Sequence, residues 1–473
     1  MERLGWRSWI PVSVVAVWAA RGVDLQHSDL VVQRTLVSVR RAPHSLSGDL
    51  VADHAAHHPG LLLDLMAFTP DHPAVLVATG LLLTALVVGL VGALVRQLGG
   101  SVTAAAMASV LVMVPVLLPG WVDVLPTAPT SRLAVVPLVL LAFRAAWRGQ
   151  PEWAGVWGGL AVAVHPAVGA AGLWLVLWSS PRAWRTFWVG VAVSAPIWAP
   201  HLLWGEGMAA DRSWWAVTRS RWDHHLSLGP PRATATAVGW LGLCLWLTVR
   251  GPTAAVRRMA RASAVGALAV LGVVVGVHSN VLPPVLARLH PLHMFVPVVL
   301  VVLVAVWADP RARRARMATV GLVCLGIHGP LVAWRLPAEP LPDAVVHHLA
   351  STDARRPVLL PPARMPGVRL QARRAVVVSL KDGAEVVGSS AMAHRWSTRA
   401  ADVCGWTALP TGPGPGWERV RRSCDGPRGG DAWRTLARGY QAAAVFLPAS
   451  ESTDGWTVLA VEPDGVWVAL PDR

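Results

Sequence analysis

Lysine, asparagine and tyrosine each occur once, at Lys381, Asn280 and Tyr440, and charged residues make up only 15% of the 473-residue chain. So little charge excludes an ordinary soluble globular protein, because 54% of the residues are hydrophobic and 26 are tryptophans. Positive charge is almost all arginine, a pattern that GC-rich codon choice produces. Abundant arginine is therefore weak evidence of function, and the rare residues are the more informative ones. The isoelectric point of about 11.4 invites a nucleic-acid partner. The arginines, however, sit in short loops between apolar runs, the positive-inside pattern of membrane proteins, which argues against nucleic acid.

Apolar runs recur at Trp6–Ala20, Pro73–Val95, Ser101–Pro119, Leu133–Trp147, Trp153–Trp178, Trp184–Trp204, Thr234–Val249, Ala262–Val277, Pro291–Ala308 and Met317–Trp334. Runs of this length read as membrane helices, since lipid leaves every backbone polar group to be satisfied within the segment. The first run has basic residues before it and lacks a small residue where signal cleavage after Ala20 requires one, so it reads as a retained anchor. Tryptophans gather at the run ends, as an interfacial belt requires.

Orientation follows from arginine. Arg3, Arg7, Arg96, Arg144, Arg148, Arg182, Arg185, Arg250, Arg257, Arg258, Arg261, Arg311, Arg313, Arg314 and Arg316 should face the cytoplasm. Alternation fails only at Trp153–Trp178, where both flanks are basic. That run contains Gly158-Gly159 and His165-Pro166, so it divides into two shorter helices meeting near the outer surface. The fold expected is a polytopic α-helical membrane protein of about eleven helices, its amino terminus cytoplasmic. The outer face then receives a long first loop (21–72), the loop Gly205–Ala233, the stretch His278–His290 and everything after Arg335.

Residues 336–473 form an extracytoplasmic α/β domain beside the multi-pass domain 1–335. This tail holds 16 Lys and Arg against 14 Asp and Glu, so +13 of the net +15 belongs to the membrane part. Strand signals are PVLLP, AVVVSL, AAAVFL and the pair WTVLAV and VWVAL joined by EPDG; SSAMAHRWSTRAADV and DAWRTLARGY read as helices. Cys244 and Cys324 fall in membrane runs. Cys404 and Cys424 lie together in the tail, either as free thiols or, the favoured reading, as a disulfide worth roughly 3 kcal/mol for a loop of about 20 residues.

The first outer loop carries Asp24, Asp29, Asp49, Asp53 and Asp64 with His27, His44, His54, His57 and His58. A carboxylate here is placed to act as a general base. His54 and His58, four apart, could hold a divalent metal with Asp49 or Asp53, but simple solvation of a polar loop is the favoured reading over a metal. In RSRWDHH, Arg221, His224 and His225 offer a fork and two donors suited to a lipid phosphate. The competing reading is nonspecific contact with anionic headgroups. His165 lies in an apolar run, which marks it for function, though a carbonyl freed by Pro166 could also satisfy it. Arg288, His290 and His293 add cationic groups on the same face. In the tail, Arg373, Arg374 and Lys381 flank a strand, and Arg395 and Arg399 share a helical face.

The stretches LSGDLVADHAAHHP, GLAVAVHPAVG, RSRWDHHLSLGP, LHPLHMF and RRAVVVSLKDG…HRWSTR span Asp49 to Arg399. Together they resemble the GT-C-fold membrane glycosyltransferases, and within them a bacterial family of GT-C-like multi-pass proteins. The resemblance implies transfer of a sugar from a polyprenyl-phosphate carrier to an acceptor outside the cytoplasm. It makes Asp49 or Asp29 the catalytic acid of the first loop, as base or metal ligand. Arg221, His224, His225 and Arg288 would hold the carrier phosphate, and His165, Arg374 and Lys381 would contact substrate. Two departures stand out: the first loop lacks the adjacent acid pair of many such enzymes, and His293 stands where an arginine is expected after the HP of LHPLH. The rival expectation is a non-enzymatic membrane scaffold or lipid-linked-glycan binding protein.

Overall fold

The computed structural model describes residues 22–471 apart from 26, 44–45, 56–59, 119–121, 181, 205–211, 223–230, 280, 284–285, 287–290, 328–339, 363, 365–366, 381, 383–388, 411–415 and 425–428. The run Trp6–Ala20 therefore lies outside the described residues. The first long loop folds into helices α1 (Ser28–Arg41), α2 (Leu50–Asp53) and α3 (Leu61–Ala67). The apolar bundle follows with α4 (Pro73–Gln97), α5 (Val102–Met113), α6 (Ser131–Trp147), α7 (Pro151–Val164), α8 (Pro166–Ser179) and α9 (Ala183–Trp204). After α10 (Arg212–Trp222) it resumes with α11 (Pro231–Arg250), α12 (Ala254–His278), α13 (Phe295–Ala308) and α14 (Arg313–Gly326).

Four described helical segments are long and apolar enough to cross a membrane: Pro73–Gln97, Pro231–Arg250, Ala254–Val277 and Pro291–Ala308. This is fewer than the eleven expected. The run Ser101–Pro119 is helical only to Met113. Val114 is already extended, as the residue before a proline prefers, and the chain turns into a two-stranded ladder, β1 (Leu117–Leu118) with β2 (Val122–Asp123). The run Trp153–Trp178 divides at His165, which is extended (φ −150°, ψ 103°), with Pro166 opening the next helix. Pro at the first helical position costs no hydrogen bond. A Cβ on Gly169 would lie 2.3 Å from the Ala161 carbonyl carbon, so only glycine lets α7 and α8 close into this hairpin. Each arm has 14 residues, about 21 Å of helix against a hydrocarbon core of about 30 Å.

Helix α13 is buried along its whole length, and its valine-rich sequence has no polar face. A helix apolar all round belongs in the middle of a bundle, and α4, α5, α11 and α12 pack around it. The two ends of the bundle differ. Gln97 donates to the Arg144 carbonyl, Arg258 to that of Ser179 and Thr186 to that of Pro151, which gathers the arginine-rich helix ends at one rim. At the other end Gln33 and Asp29 of α1 bond Ser131 and Arg132 at the start of α6.

The tail contributes α15 (Asp343–Ser351), β3 (Val358–Leu359), α16 (Gly367–Gln371), α17 (Ser390–Cys404), α18 (Gly416–Ser423), α19 (Gly430–Gly439), β4 (Ala444–Pro448), β5 (Thr457–Glu462) and β6 (Gly465–Ala469). The sheet order is β3-β4-β6-β5, with β3 parallel to β4 and the rest antiparallel; the EPDG turn closes the β5–β6 hairpin. The segment AVVVSL is not a full strand. It makes one parallel bridge, Val358 to Val376, because the Val376 amide goes to Asp49 and the chain then turns at Ser379. One side of the tail sheet closes a core within the tail, around Val345, Val358, Phe446 and Trp467, and the other side is shared. Trp396, Val378 and Trp433 pack in one cluster with Leu36, Leu50 and Val51 of the first loop and with Trp214 and Val217 of α10.

Candidate functional site

The acid-bearing end of the bundle brings four ionisable side chains together. His27 caps α1 by accepting the Asp29 amide at 3.2 Å, which fixes Asp29 in the first turn of that helix. There a carboxylate complements the helix dipole. The Arg132 guanidinium, at the start of α6, bonds the Asp29 carboxylate. Their side chains keep 17% and 24% exposure, so the pair is shielded yet reachable. Gln33 secures the two helices, donating from Nε2 to Ser131 Oγ (3.0 Å) while its Oε1 accepts the Ser131 amide (3.3 Å).

His165, at the α7–α8 break, accepts the Val168 amide on Nδ1 at 3.4 Å and lies within electrostatic reach of Arg132 and Asp29. Its ring stands 5.6 Å from that of His293, which is held in the short 3-10 turn Pro291–Met294 that opens α13. The assembly is an acid–arginine pair with His165 in electrostatic reach and the buried His293 ring beside His165. It can take up a proton, and it can neutralise an anion leaving nearby.

Asp49 is placed quite differently. It has no exposed surface, and its Oδ1 caps α2 by accepting the amides of Val51 and Ala52. Its Oδ2 accepts Arg369 Nε at 2.7 Å and the Val376 amide at 3.0 Å. Arg369 in turn grips Asp382 with both terminal nitrogens, at 2.7 and 2.8 Å, and Asp382 accepts the amide and hydroxyl of Ser379. Burial works against the Arg369 charge, but Asp382 and Asp49 outweigh it and raise its pKa above that of a free guanidinium. Such a network of satisfied charges ties the first loop to the tail and leaves Asp49 no face for a substrate. Arg399 and Arg395 add to the clasp, the first donating to the carbonyls of Gly48 and Val377, the second pairing with Asp53.

Arg374 is 5% exposed and donates to the carbonyls of Leu349, Thr352 and Asp353, closing the end of α15. Cys404 and Cys424 are joined in a disulfide. His54 is buried and bonds the Leu50 carbonyl, and no group of three metal-ligating side chains occurs among the described residues. His44, His57, His58, His224, His225, Arg288, His290 and Lys381 lie outside the described residues, as does the side chain of Arg221, whose backbone is in the last turn of α10. A separate cavity of about 280 Å³ opens in the tail between α16 and the β5–β6 turn, against Leu341, Arg364, Gln371 and Trp467.

No protein-family model, curated protein or solved structure matches this chain. The geometry alone therefore carries the functional reading. Reading the sequence missed Arg132, Arg369 and Asp382. Arg132 had a signal: it opens the run Leu133–Trp147 on the side that the arginine alternation assigns to the outside, and it sits at a helix start, where the dipole disfavours a cation.

Proposed function

We propose that the chain is an integral-membrane glycosyltransferase that takes a sugar from a polyprenyl-phosphate carrier, with Asp29 as its general base. The observation that supports this most is the Asp29–Arg132 pair with His165 in electrostatic reach, at the end of the bundle away from the arginine rim. In this reading the amino terminus is cytoplasmic, and the acid-bearing end and tail are outside.

An acceptor hydroxyl gives its proton to the Asp29 carboxylate as its oxygen bonds the anomeric carbon. The bond from that carbon to the carrier phosphate breaks, and the phosphate leaves with the electron pair. Arg132 together with Arg221, His224, His225 and Arg288 offsets that charge, the kind of pre-placed electrostatic stabilisation that contributes most in a site shielded from water. His165 and His293 orient the donor. Asp49 and Arg374 act through the fold, the first as the joint between loop and tail. Lys381, next in sequence to Asp382, is the tail's contribution to acceptor binding.

The test is release of polyprenyl phosphate by the purified full chain in proteoliposomes, offered a panel of polyprenyl-phosphate hexoses and pentoses labelled in the sugar together with cell-envelope glycans and proteins as acceptors. Chain-dependent release from at least one donor is expected. Release from none, with a folded protein, would replace the enzyme with a membrane scaffold.

A further inference from the structure

The opposite rim of the bundle carries a patch for which the proposed reaction has no use. The ends of α7, α8 and α9 and the first turns of α12 are tied together there. The Thr186 hydroxyl donates to the Pro151 carbonyl at 3.1 Å and lies 2.8 Å from the Ser180 hydroxyl, while Arg258 donates to the Ser179 carbonyl at 3.3 Å. On this corner Trp153, Trp178, Trp184 and Trp188 are 57%, 45%, 64% and 60% exposed, far more than single surface tryptophans require. Phe187 packs edge-on against Trp188 at 5.2 Å, and the Arg185 guanidinium stands 5.3 Å from the Trp184 ring centre.

Charge on the corner is one-sided. Residues 148–153, 178–188 and 254–261 contain six arginines and a single carboxylate, Glu152. Glu152 is occupied by Arg185 at 3.2 Å, while Arg182 and Arg258 are exposed. Indole rings with a wet edge and an apolar body settle at headgroup depth, and guanidinium forks match phosphate oxygens. A neutral headgroup would leave the excess positive charge unanswered.

We propose that this corner is a binding site for an anionic phospholipid of the leaflet it meets. The phosphodiester lies between Arg182 and Arg258, and the acyl chains lie along the exposed faces of Trp174 and Phe187. The site is independent of sugar transfer. It differs from a general attraction of the arginine rim for anionic membranes, because among the described residues the exposed tryptophans gather at this corner.

The test is native mass spectrometry of the detergent-solubilised full chain titrated with phosphatidylglycerol or phosphatidylcholine. Two double variants are compared: Arg182→Gln/Arg258→Gln, and Arg313→Gln/Arg314→Gln, which removes the same charge elsewhere on the rim. The first phosphatidylglycerol should bind the parent chain more tightly than phosphatidylcholine does. The corner variant should lose about 5- to 25-fold of that preference, at roughly five-fold for each arginine, and the rim variant less than about two-fold. Equal binding of the two lipids to the parent chain would overturn the proposal, and that arm needs no variant to fold. Equal loss in the two variants would overturn it as well, because the preference would then be a diffuse field rather than a site.

Discussion

Replacing Asp49 by alanine removes one carboxylate from a network in which Arg369, Asp49 and Asp382 are all 0–1% exposed. Arg369 would keep Asp382 but lose the bond to its Nε, and the amides of Val51, Ala52 and Val376 would lose their acceptor. Arg369 keeps its counter-ion, so the loss comes from buried donors left without an acceptor at about 1–3 kcal/mol each, and a total of about 3–5 kcal/mol is expected. In a cooperative unit of about 200 residues each kcal/mol lowers Tm by about 2–4 °C, so the loop–tail unit should melt about 6–20 °C earlier. By contrast, Asp29→Asn breaks a pair whose side chains keep 24% and 17% exposure, which costs about 1 kcal/mol or less. The assay is thermal unfolding of both variants in the same detergent, followed by near-ultraviolet circular dichroism, with trypsin sensitivity of the tail as a second readout. An Asp49→Ala protein melting within about 2 °C of the parent would refute the assignment of Asp49 to the joint.

Two further outcomes follow from the tail. Under non-reducing denaturing conditions only Cys244 and Cys324 should react with a thiol reagent; reducing Cys404–Cys424, which are 20 positions apart, should destabilise the tail by roughly 3 kcal/mol, and four reactive thiols before reduction would contradict the bridge. Tyr440 donates to Asp402 Oδ2 at 2.7 Å; burial pushes its phenol pKa up and Asp402 adds to the shift, against Arg399. As the sole tyrosine it can be titrated by absorbance, and it should remain protonated at pH 10, where a free tyrosine is half ionised. The raised pKa means that above pH 10 the unfolded chain releases a proton that the folded chain keeps, so stability should fall as pH rises further. A half-ionised Tyr440 at pH 10 in the folded protein would contradict this.

The bundle was largely readable because apolar runs and helix-end arginines act locally. The His165-Pro166 break could be placed for the same reason: extended histidine, Pro at the helix start and a permissive glycine all lie within a few residues. The EPDG hairpin and the helices over 390–404 and 430–439 are likewise local. At Ser101–Pro119 composition ran past the point at which the helix stops before Pro115. What could not be read was the meaning of Asp49. Its partner Arg369 is 320 positions away, and nothing in the GVRLQ turn distinguishes a buried arginine from a surface one. The same contact explains the missing strand, since AVVVSL gives the Val376 amide to Asp49 in place of a neighbour in the sheet. Asp29 and Asp49 looked equivalent in sequence; burial separates them.

The central claim is that Asp29, set against Arg132 and His165, is the base. Its direct test is the rate of polyprenyl-phosphate release by the full chain and by Asp29→Asn, each first shown to share the parent melting temperature within about 4 °C, the exposed-pair limit. A general base contributes roughly 10²- to 10⁴-fold, so the variant should lose at least two orders of magnitude while still binding the carrier. A folded Asp29→Asn protein that turns over at the parent rate would contradict the account.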